Sequence, residues 1–405
     1  MTKQELLEEV IRRIDVTKDV VDEDVERILD ALILEYGRSN YVSLVQKLQL
    51  RKELFNAIRR LDVLQELLED ESITEIMVNG YDTIFVEQNG EHRKLEYGFQ
   101  SPEKLEDVIQ QIVAGCNRVV NTANPIVDAR LATGERINIV LQPIALNGPI
   151  MTIRKFSKQK LTMRHLISYG SISEEAARCL ELLVVSGYNI FISGGTSAGK
   201  TTFLNALSQY IPKGERIITI EDSAELQIQG VSNLVRLETR NANESGSRGI
   251  TIRDLLKTSL RMKPDRIIVG EIRDEAAIDM LGAMNTGHDG SLSTGHANSA
   301  RDMLARLETM VLLGEPIPMN AIREQIASAI DIVVHLGRSH GKPRHVVEIV
   351  ELEAVDKQEG YRMNTLYGLD EEGNLVRIGC LRHIEKLKRE GCYEEWKRLE
   401  RGGED

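Results

Sequence analysis

Cysteines, aromatic residues and long apolar stretches are scarce in this 405-residue chain. The four cysteines show no C-x-x-C spacing, so neither a zinc module nor a disulfide framework is expected. Aromatic residues make up 4% of the chain and the net charge is −12, which argues against a basic, aromatic groove for nucleic acid. No apolar run approaches the roughly 20 residues of a membrane-spanning helix, and no signal peptide is recognised. These absences predict a cytoplasmic protein that reaches a membrane only through partners.

The composition is that of a soluble globular protein, 41% hydrophobic and 28% charged, and the length suffices for two or three domains. Helical spacing of apolar residues predicts a small bundle first, and short strands around a long helix predict an α+β domain after it. A third region alternates helices with buried strands, and the tail suggests a hairpin and a charged helix. The predicted boundaries are 1–60 for the bundle, 62–155 for the α+β domain, 157–160 for a linker, 162–350 for the third region and 351–405 for the tail.

The alternation in the third region predicts a parallel sheet with crossover helices, an α/β architecture. Ligands of such sheets bind beyond the carboxyl ends of the strands, so side chains that follow the strands are the first candidates for function. A polar loop at residues 241–249 interrupts the region. The predicted strands are residues 189–192, 216–220, 233–237, 266–269, 290–294 and 332–335.

The sequence G-G-T-S-A-G-K-T at residues 194–201 fits the phosphate-binding P-loop pattern G-x-x-x-x-G-K-[ST]. An apolar strand precedes it and a helical stretch from Thr202 follows it, which is the context that the motif requires. Backbone N–H groups and a helix N-terminus surround the phosphate in such a loop. Lys200 is then expected to reach the β- and γ-phosphates, and the Thr201 hydroxyl to bind Mg²⁺. The pattern predicts a nucleoside-triphosphate site; the alternative is an incidental glycine-rich turn.

Two apolar strands downstream of the P-loop end in carboxylates. Glu221 and Asp222 follow residues 216–220, and Glu271 follows residues 266–269 after one glycine. Either acid alone could simply cap a strand-to-helix loop, but two of them beside a P-loop favour a catalytic role. Carboxylates at this edge can hold Mg²⁺ or its waters and orient the water that attacks a phosphate.

Two histidines, His288 and His296, lie eight residues apart in a stretch rich in Gly, Ser and Thr. Their spacing does not predict a metal site, because no cysteine or acidic ligand set accompanies them. Alone they would be surface-loop histidines, whereas beside the other motifs they suit a γ-phosphate sensor.

The order of these motifs resembles that of the type II/type IV secretion ATPases, and within them the CpaF branch, the assembly ATPases of tight-adherence pili. The resemblance covers about residues 60–350. The absence of cysteine pairs also favours this branch or the conjugation-type one over relatives with a four-cysteine zinc module. The most similar stretches are T-E-I-M-V-N-G at 74–80, L-R-M-K-P-D-R-I-I-V-G-E at 260–271 and A-M-N-T-G-H-D-G-S at 283–291.

The resemblance implies a six-membered ring of RecA-like ATPase domains, each covered by a mobile N-terminal domain, that uses ATP and Mg²⁺. It implies that Glu221 is the catalytic glutamate and that Glu271 is the Walker B acid, which holds Mg²⁺ with Thr201, directly or through water. Either glutamate could polarise the attacking water. The resemblance also implies that His296, with His288 behind it, senses the γ-phosphate. Gly295 departs from the β-branched residue that the resemblance leads us to expect before His296. The loop positions that it assigns to the nucleotide are Gly194, Gly195, Thr196, Ser197, Ala198, Gly199, Lys200, Thr201 and Thr202.

Three arginines outside the P-loop are candidates for the nucleotide as well. Arg136 and Arg154 match arginines of the N-terminal domain that reach the nucleotide in conjugation-type relatives, and Arg240 is a candidate arginine finger. Positive charge is needed because negative charge develops on the transferred phosphoryl oxygens. Ordinary surface ion pairs are the alternative for all three.

The function that the resemblance implies is a hexameric ATPase that powers assembly or retraction of a pilus through an integral membrane platform protein. Direct contact with nucleic acid or lipid is not expected. The bundle of residues 1–60 is the first candidate for docking to the platform, and the tail with Trp396 is the second. A conjugation-type ATPase that exports DNA or effectors is the alternative within the family. A RecA-type nucleic-acid translocase is disfavoured by the net charge, and a non-hydrolysing scaffold by the complete set of catalytic side chains.

Overall fold

The computed structural model describes residues 3–14, 17, 20–88, 90–155, 161–240, 248–338, 344–356 and 360–401. The chain forms two compact units, Met1–Gln159 and Lys160–Asp405. The predicted linker at 157–160 and most of the predicted polar loop at 241–249 lie outside the described residues.

The first unit begins with three helices that bury apolar residues against one another. Leu6, Leu29 and Leu54, one from each helix, are at most 1% exposed. The third helix begins with a capping box between Ser43 and Gln46, which satisfies two backbone N–H groups. The helices are α1 (Lys3–Arg13), α2 (Asp22–Ser39) and α3 (Leu44–Arg59).

A six-stranded antiparallel sheet completes the first unit. Its helices α4 (Val63–Glu69) and α5 (Pro102–Gly115) share one apolar core with the alternating buried residues of the strands, such as Ile76 and Val78. In the order β3-β2-β1-β6-β5-β4, the strands are β1 (Ile73–Asn79), β2 (Ile84–Gln88), β3 (Glu91–Lys94), β4 (Ile126–Arg130), β5 (Arg136–Val140) and β6 (Ile150–Arg154).

A nine-stranded sheet forms the centre of the second unit. Its strands are β7 (Ile190–Gly194), β8 (Arg216–Glu221), β9 (Asn233–Glu238), β10 (Arg266–Val269), β11 (Leu292–His296), β12 (Ile332–Gly337), β13 (His345–Asp356), β14 (Gly360–Leu369) and β15 (Leu375–Arg377). They lie in the order β15-β14-β13-β12-β7-β11-β10-β8-β9. Neighbours from β12 to β9 are parallel, so the carboxyl ends of β7, β8, β10 and β11 meet at one edge.

Helices cover both faces of this sheet, which confirms the predicted α/β fold. Phe191 of β7 contributes to one core, whereas Ile190 and Ile192 contribute to the other. No helix within the described residues is both long enough and apolar enough to cross a membrane. The helices are α6 (Met163–Ser168), α7 (Glu174–Val185), α8 (Lys200–Ser208), α9 (Ile252–Ser259), α10 (Ala276–Met284), α11 (Ala300–Gly314), α12 (Met319–Ala329), α13 (Glu385–Arg389) and α14 (Tyr393–Glu400).

Two glycines, Gly290 and Gly295, determine where β11 begins and how closely its end packs. Gly290 adopts a φ of 81°, which keeps it in a turn, so the strand begins later than predicted and ends at His296. Gly295 is a regular member of the strand, paired with Ser193 of β7. A Cβ on Gly295 would come 2.9 Å from the Met303 side chain and 3.0 Å from Phe191. Close packing, and not loss of strand structure, therefore explains the glycine before His296.

The tail packs onto the second unit. Its hairpin, β14–β15, turns at residues 370–374, where the Asp370 side chain accepts hydrogen bonds from the Glu372 and Asn374 N–H groups. Leu387 and Trp396 are 0% and 3% exposed and lie in the same core as α7. Trp396 therefore belongs to the core of the second unit and is not accessible as a docking side chain.

Candidate active site

The P-loop leaves the carboxyl end of β7 and runs into α8. Gly194 lies against β12, where an added Cβ would come 2.8 Å from the Leu336 carbonyl oxygen. The backbone turns through positive φ at Ser197 (59°) and Gly199 (91°), a conformation that glycine tolerates and serine adopts at a cost. The loop therefore ends at the N-terminus of α8, whose N–H groups and dipole favour a bound phosphate.

The Lys200 side chain lies beneath the loop, and the residue is only 7% exposed. Its Nζ donates to the carbonyl oxygens of Gly194 at 3.2 Å and Gly195 at 3.0 Å. Nζ also lies 3.2 Å from Nδ1 of His296. Because an ammonium group can only donate, Nδ1 is the acceptor of this contact. The fold thus joins two predicted site residues that are far apart in sequence.

His296 connects Lys200 to Glu271, since its Nε2 lies 2.9 Å from Glu271 Oε1. Burial lowers the pKa of His296, and the charges of Lys200 and Arg273 lower it further, against the opposing effect of Glu271. The ring is therefore neutral at neutral pH. Since Nδ1 accepts from Lys200, the proton is on Nε2, where it faces the carboxylate. The 2.9 Å contact with Glu271 Oε1 lacks hydrogen-bond geometry, so in this tautomer the Nε2–H group is available to donate to a phosphate oxygen.

Glu271 follows β10 and is held by Arg273, whose guanidinium donates to Oε2 at 2.7 Å. Burial raises the pKa of Glu271, but the hydrogen bond and charge of Arg273, with the charge of Lys200, outweigh it and lower the pKa overall. The carboxylate is therefore ionised at neutral pH. Arg273 carries no functional signal in the sequence beyond its place two residues after Glu271.

Glu221 ends β8 and is 3% exposed. Its Oε2 accepts hydrogen bonds from the N–H groups of Glu225 at 2.6 Å and Leu226 at 2.7 Å. Its Oε1 is buried without a hydrogen-bond partner among the residues that the structure describes. Burial raises the pKa of Glu221 to about 7, although the two N–H groups and Arg236 act to lower it. A carboxylate with a pKa near neutrality is suited to accept a proton from water.

The two acids lie on neighbouring parallel strands, β8 and β10. Gly270, between β10 and Glu271, packs directly on Glu221, and an added Cβ there would come 3.0 Å from Glu221 Cγ. The two carboxylates thus share one edge but differ in environment. Glu221 is buried and has a pKa of about 7, whereas Glu271 is ionised because Arg273 and Lys200 lie beside it.

Glu221→Gln should stabilise the fold at pH 8 more than at pH 5. Folding raises the pKa of Glu221 from 4.5 to about 7, so between those values the folded state holds a proton that the unfolded state releases. Wild-type stability therefore falls as pH rises through this window, by up to about 3 kcal/mol, and stays lower above it. Glutamine has no such proton to lose. Urea unfolding midpoints of the wild type and the variant, measured without nucleotide, test this. An equal difference between the two proteins at pH 5 and pH 8 would contradict the raised pKa.

A buried histidine that sequence analysis missed supports the P-loop. His335 on β12 is 6% exposed, and its Nδ1 lies 2.8 Å from Ser193 Oγ on β7. Burial lowers the pKa of His335, against the charges of Glu348 and Asp302 and a hydrogen bond to the Asn298 backbone, which raise it. Ser193 directly precedes the P-loop and Asn298 follows His296, so His335 contacts both the P-loop strand and the segment after β11. Its sequence context, an apolar strand, carries no functional signal.

Arg240 and His288, two further predicted site residues, make contacts away from the P-loop. Arg240 follows the edge strand β9, and its guanidinium donates to the Arg248 carbonyl oxygen at 3.3 Å. Because β9 is an edge strand, Arg240 could contact another subunit, and its role as an arginine finger stays a prediction. His288 lies at the opposite end of β11 from His296, with Nδ1 3.0 Å from the Ala283 carbonyl oxygen. The expectation that His288 lies behind His296 is wrong, because the strand separates them.

In the first unit, the candidate arginines lie side by side. Arg136 on β5 pairs with Arg154 on β6 and, across its other edge, with Arg130 on β4. Residues paired in this way project from the same face with Cβ atoms about 5 Å apart. Glu75 on β1 continues the row beyond Arg154 and lies 3.9 Å from the Arg154 guanidinium, so an ion pair already offsets part of the positive charge. Arg130 carries no functional signal in the sequence, because its place in the row depends on strand register. The three arginines outnumber Glu75, so this end of the row keeps a net positive charge that suits a polyanion such as a triphosphate.

Thr201 and Glu271 offer donors that fit Mg²⁺. A hydroxyl and an ionised carboxylate are the hard oxygen ligands that this cation prefers, and it usually keeps further ligands from phosphate and water. Within the described residues, no group of three or more His, Cys, Asp or Glu side chains is placed to hold a metal ion. A metal ion at this edge would therefore share its coordination with the phosphates.

Residues 59–368 match the family model described as type II/IV secretion system protein. The chain belongs to this family. It is 34% identical to the conjugal transfer protein TrbB of Rhizobium radiobacter, over 75% of this chain and 89% of TrbB. It is 33% identical to the type IV secretion system protein PtlH of Bordetella pertussis, over 71% of this chain and 93% of PtlH. A putative conjugal transfer protein of Mycobacterium tuberculosis is also 33% identical, over 72% of this chain and 84% of that protein.

Two solved structures, a pilus retraction motor and an ATPase, show the same fold. The pilus retraction motor PilT with bound ADP aligns with a TM-score of 0.52 at 18% identity, over 84% of this chain and 89% of PilT. The ATPase DotB of Legionella pneumophila aligns with a TM-score of 0.51 at 19% identity, over 73% of this chain and 80% of DotB. The RecA-like P-loop domain with a preceding N-terminal domain is thereby confirmed.

Proposed function

We propose that this member of the secretion family hydrolyses ATP and, as a hexameric ring, drives a pilus or secretion machine in a membrane. The observation that carries the proposal is the chain of contacts from Lys200 through His296 to Glu271, next to Glu221 with its pKa of about 7. Nucleotide binding alone needs only a P-loop. A neutral histidine, an ionised acid and a proton-accepting acid beside the loop suit hydrolysis.

In this mechanism Lys200 exchanges the Gly194 and Gly195 carbonyls for the β- and γ-phosphates. The oxygen of a water molecule bonds to the γ-phosphorus as the bond to the β–γ bridging oxygen breaks, and Glu221 accepts the proton from the water. His296 donates its Nε2 proton in a hydrogen bond to a γ-phosphate oxygen. Glu271 and Thr201 would hold Mg²⁺, which neutralises negative charge on the phosphate oxygens.

Replacing both Arg136 and Arg154 with alanine should raise KM for ATP and lower turnover, by about tenfold for each hydrogen bond to phosphate that is removed. In the proposed ring these arginines reach the nucleotide when the first unit closes, so they stabilise the closed state. Steady-state kinetics, with circular dichroism to verify folding, measure the effect. Arg93→Ala on β3, at the other edge of the same sheet, is the matched control. Wild-type kinetics in the double variant would exclude the arginine row from the reaction.

Among the machines that this family serves, we propose one that assembles a tight-adherence pilus. The support is sequence similarity at residues 74–80, 260–271 and 283–291, stretches that include β1, β10 and the turn before β11. A conjugation-type exporter is the second candidate, because relatives at 33% and 34% identity are named conjugal transfer proteins.

An exposed apolar surface on the helical bundle supports docking to a membrane platform protein. It consists of Tyr41, Leu44, Val45 and Leu48, which are 98%, 73%, 75% and 59% exposed. Leu44 and Leu48 are one helical turn apart on α3 and face the same side. Clustered exposed apolar side chains commonly mark a contact with another protein.

The proposal is tested by phosphate release from purified protein and by complementation of a gene deletion in the source organism. Restored piliation supports the pilus assignment, and restored DNA transfer without piliation supports the second candidate. Leu44→Ser with Leu48→Ser should keep hydrolysis in solution but fail to complement. Leu34→Ser on α2, where the residue is 59% exposed, is the control. If the protein, alone and with membranes from its host, never released phosphate, the ATPase assignment would fall.

A further inference from the structure

A cavity of about 510 Å³ opens beside the P-loop, between the loop and α11. His296 borders it, so the cavity lies one side chain away from Lys200. Its polar lining also includes Thr196 of the P-loop, Asn298 after β11, and Asp302, Arg306 and Thr309 of α11.

Arg306 is the cation of this cavity. It is exposed, and no acidic partner of its guanidinium is found in the part of the chain that the structure describes. Asp302 stands four residues earlier on the same helix, a spacing that permits an ion pair, yet the pair is not formed. The charge of Arg306 contributes to the low pKa of His296, so the guanidinium lies within electrostatic range of the ring.

The position of Arg306 is fixed by the packing of α11. Met303, one turn earlier, is 0% exposed and lies against Gly295 and Phe191, at the strand end that carries His296. Leu307, next to Arg306, is also 0% exposed. The helix therefore holds an arginine without an acidic partner, among the described residues, at the rim of the P-loop.

Arg306 and Asp302 together indicate the chemistry of a ligand. Orthophosphate keeps at least one proton at neutral pH, so its oxygens can accept hydrogen bonds from a guanidinium while its P–OH group donates to a carboxylate. Sulfate has the same shape but no proton, so a carboxylate repels it. A cavity with one arginine and one aspartate thus matches protonated orthophosphate better than a fully ionised tetrahedral anion.

We propose that this cavity receives the orthophosphate split from ATP, with Arg306 and Asp302 as its ligands. The inference rests on the proposed ATP hydrolysis. Phosphate formed at the P-loop passes His296 into the cavity while ADP remains bound through Lys200. Arg306 thereby separates the two products and sets the order of their release.

Equilibrium dialysis of labelled orthophosphate against the full chain saturated with Mg²⁺ and ADP tests this site without turnover. Arg306→Ala should weaken phosphate binding roughly tenfold to a hundredfold, the effect of removing a hydrogen bond to a charged group. Affinity for ADP and for a non-hydrolysable ATP analogue should stay the same. Asp302→Asn should reduce the preference for phosphate over sulfate in competition by about tenfold or more.

Arg301→Ala is the matched control, because Arg301 is exposed on the same helix but does not line the cavity. It should bind phosphate as the wild type does, and equal thermal midpoints of both variants would show that α11 is intact. Unchanged phosphate affinity in Arg306→Ala, or an equal drop in affinity for the ATP analogue, would overturn the product site. Wild-type protein that binds ADP but no phosphate would overturn this inference alone. Protein that binds neither would overturn the proposed function as well.

Discussion

Lys200→Ala should slow ATP hydrolysis by roughly a hundredfold to a thousandfold, the usual effect of removing one positioned donor from the transition state. The ammonium group is held under the P-loop by the Gly194 and Gly195 carbonyls and by His296, where solvent screens its charge little. Phosphate release by the purified full chain with saturating Mg²⁺ measures the change. Loss of pilus assembly should accompany it in the host.

Lys213→Ala is a suitable control for this variant, because Lys213 is an exposed lysine of the same unit. Circular dichroism should be the same for both variants, since alanine at position 200 leaves the P-loop backbone and its packing in place. Near wild-type turnover in Lys200→Ala would show that this P-loop does not act on the γ-phosphate.

Glu221→Gln and Glu271→Gln should each bind ATP yet hydrolyse it at least about a hundredfold more slowly, through loss of positioned charge. The two variants should differ in their dependence on Mg²⁺. Glu271→Gln should need more Mg²⁺ for half-maximal rate, because its ionised carboxylate is the proposed ligand, whereas Glu221→Gln should not. Titration of Mg²⁺ at fixed ATP separates the two roles.

The wild-type rate should also fall as pH drops below about 7, because Glu221 is then protonated and cannot accept a proton from water. Asp222→Asn is the control, since this carboxylate lies beside Glu221 in sequence but accepts a hydrogen bond from Thr239. If both glutamine variants kept near wild-type turnover, the assignment of the carboxylates would be wrong.

Local patterns explain why much of this protein could be predicted from its sequence. The P-loop is a fixed spacing of glycines with a lysine and a threonine, and Glu221 and Glu271 each follow an apolar strand. Parallel strands share one carboxyl edge, so the pattern alone predicts that these residues gather there. The contact between Lys200 and His296 cannot be predicted in this way, because it exists only when β7 and β11 are neighbours in the sheet.

Packing decided the features that no local pattern encodes. Trp396 looked like a docking residue but is buried, and Gly295 is explained by the nearness of Met303. Arg130 joins Arg136 only through strand register. These outcomes depend on which elements lie side by side, and sequence spacing does not contain that information.

The sequence by itself determined the α/β fold, the phosphate loop and the residue types at the edge of the sheet, because each follows from short-range chemistry and strand direction. The tertiary structure alone decided their ionisation and partners. Glu221 has a pKa of about 7 because the fold buries it, and Glu271 is ionised because Arg273 and Lys200 lie beside it. Two glutamates that follow similar strands thus differ in protonation, since the pKa of a carboxyl group is set by the solvent and charge around it and not by its place in the chain.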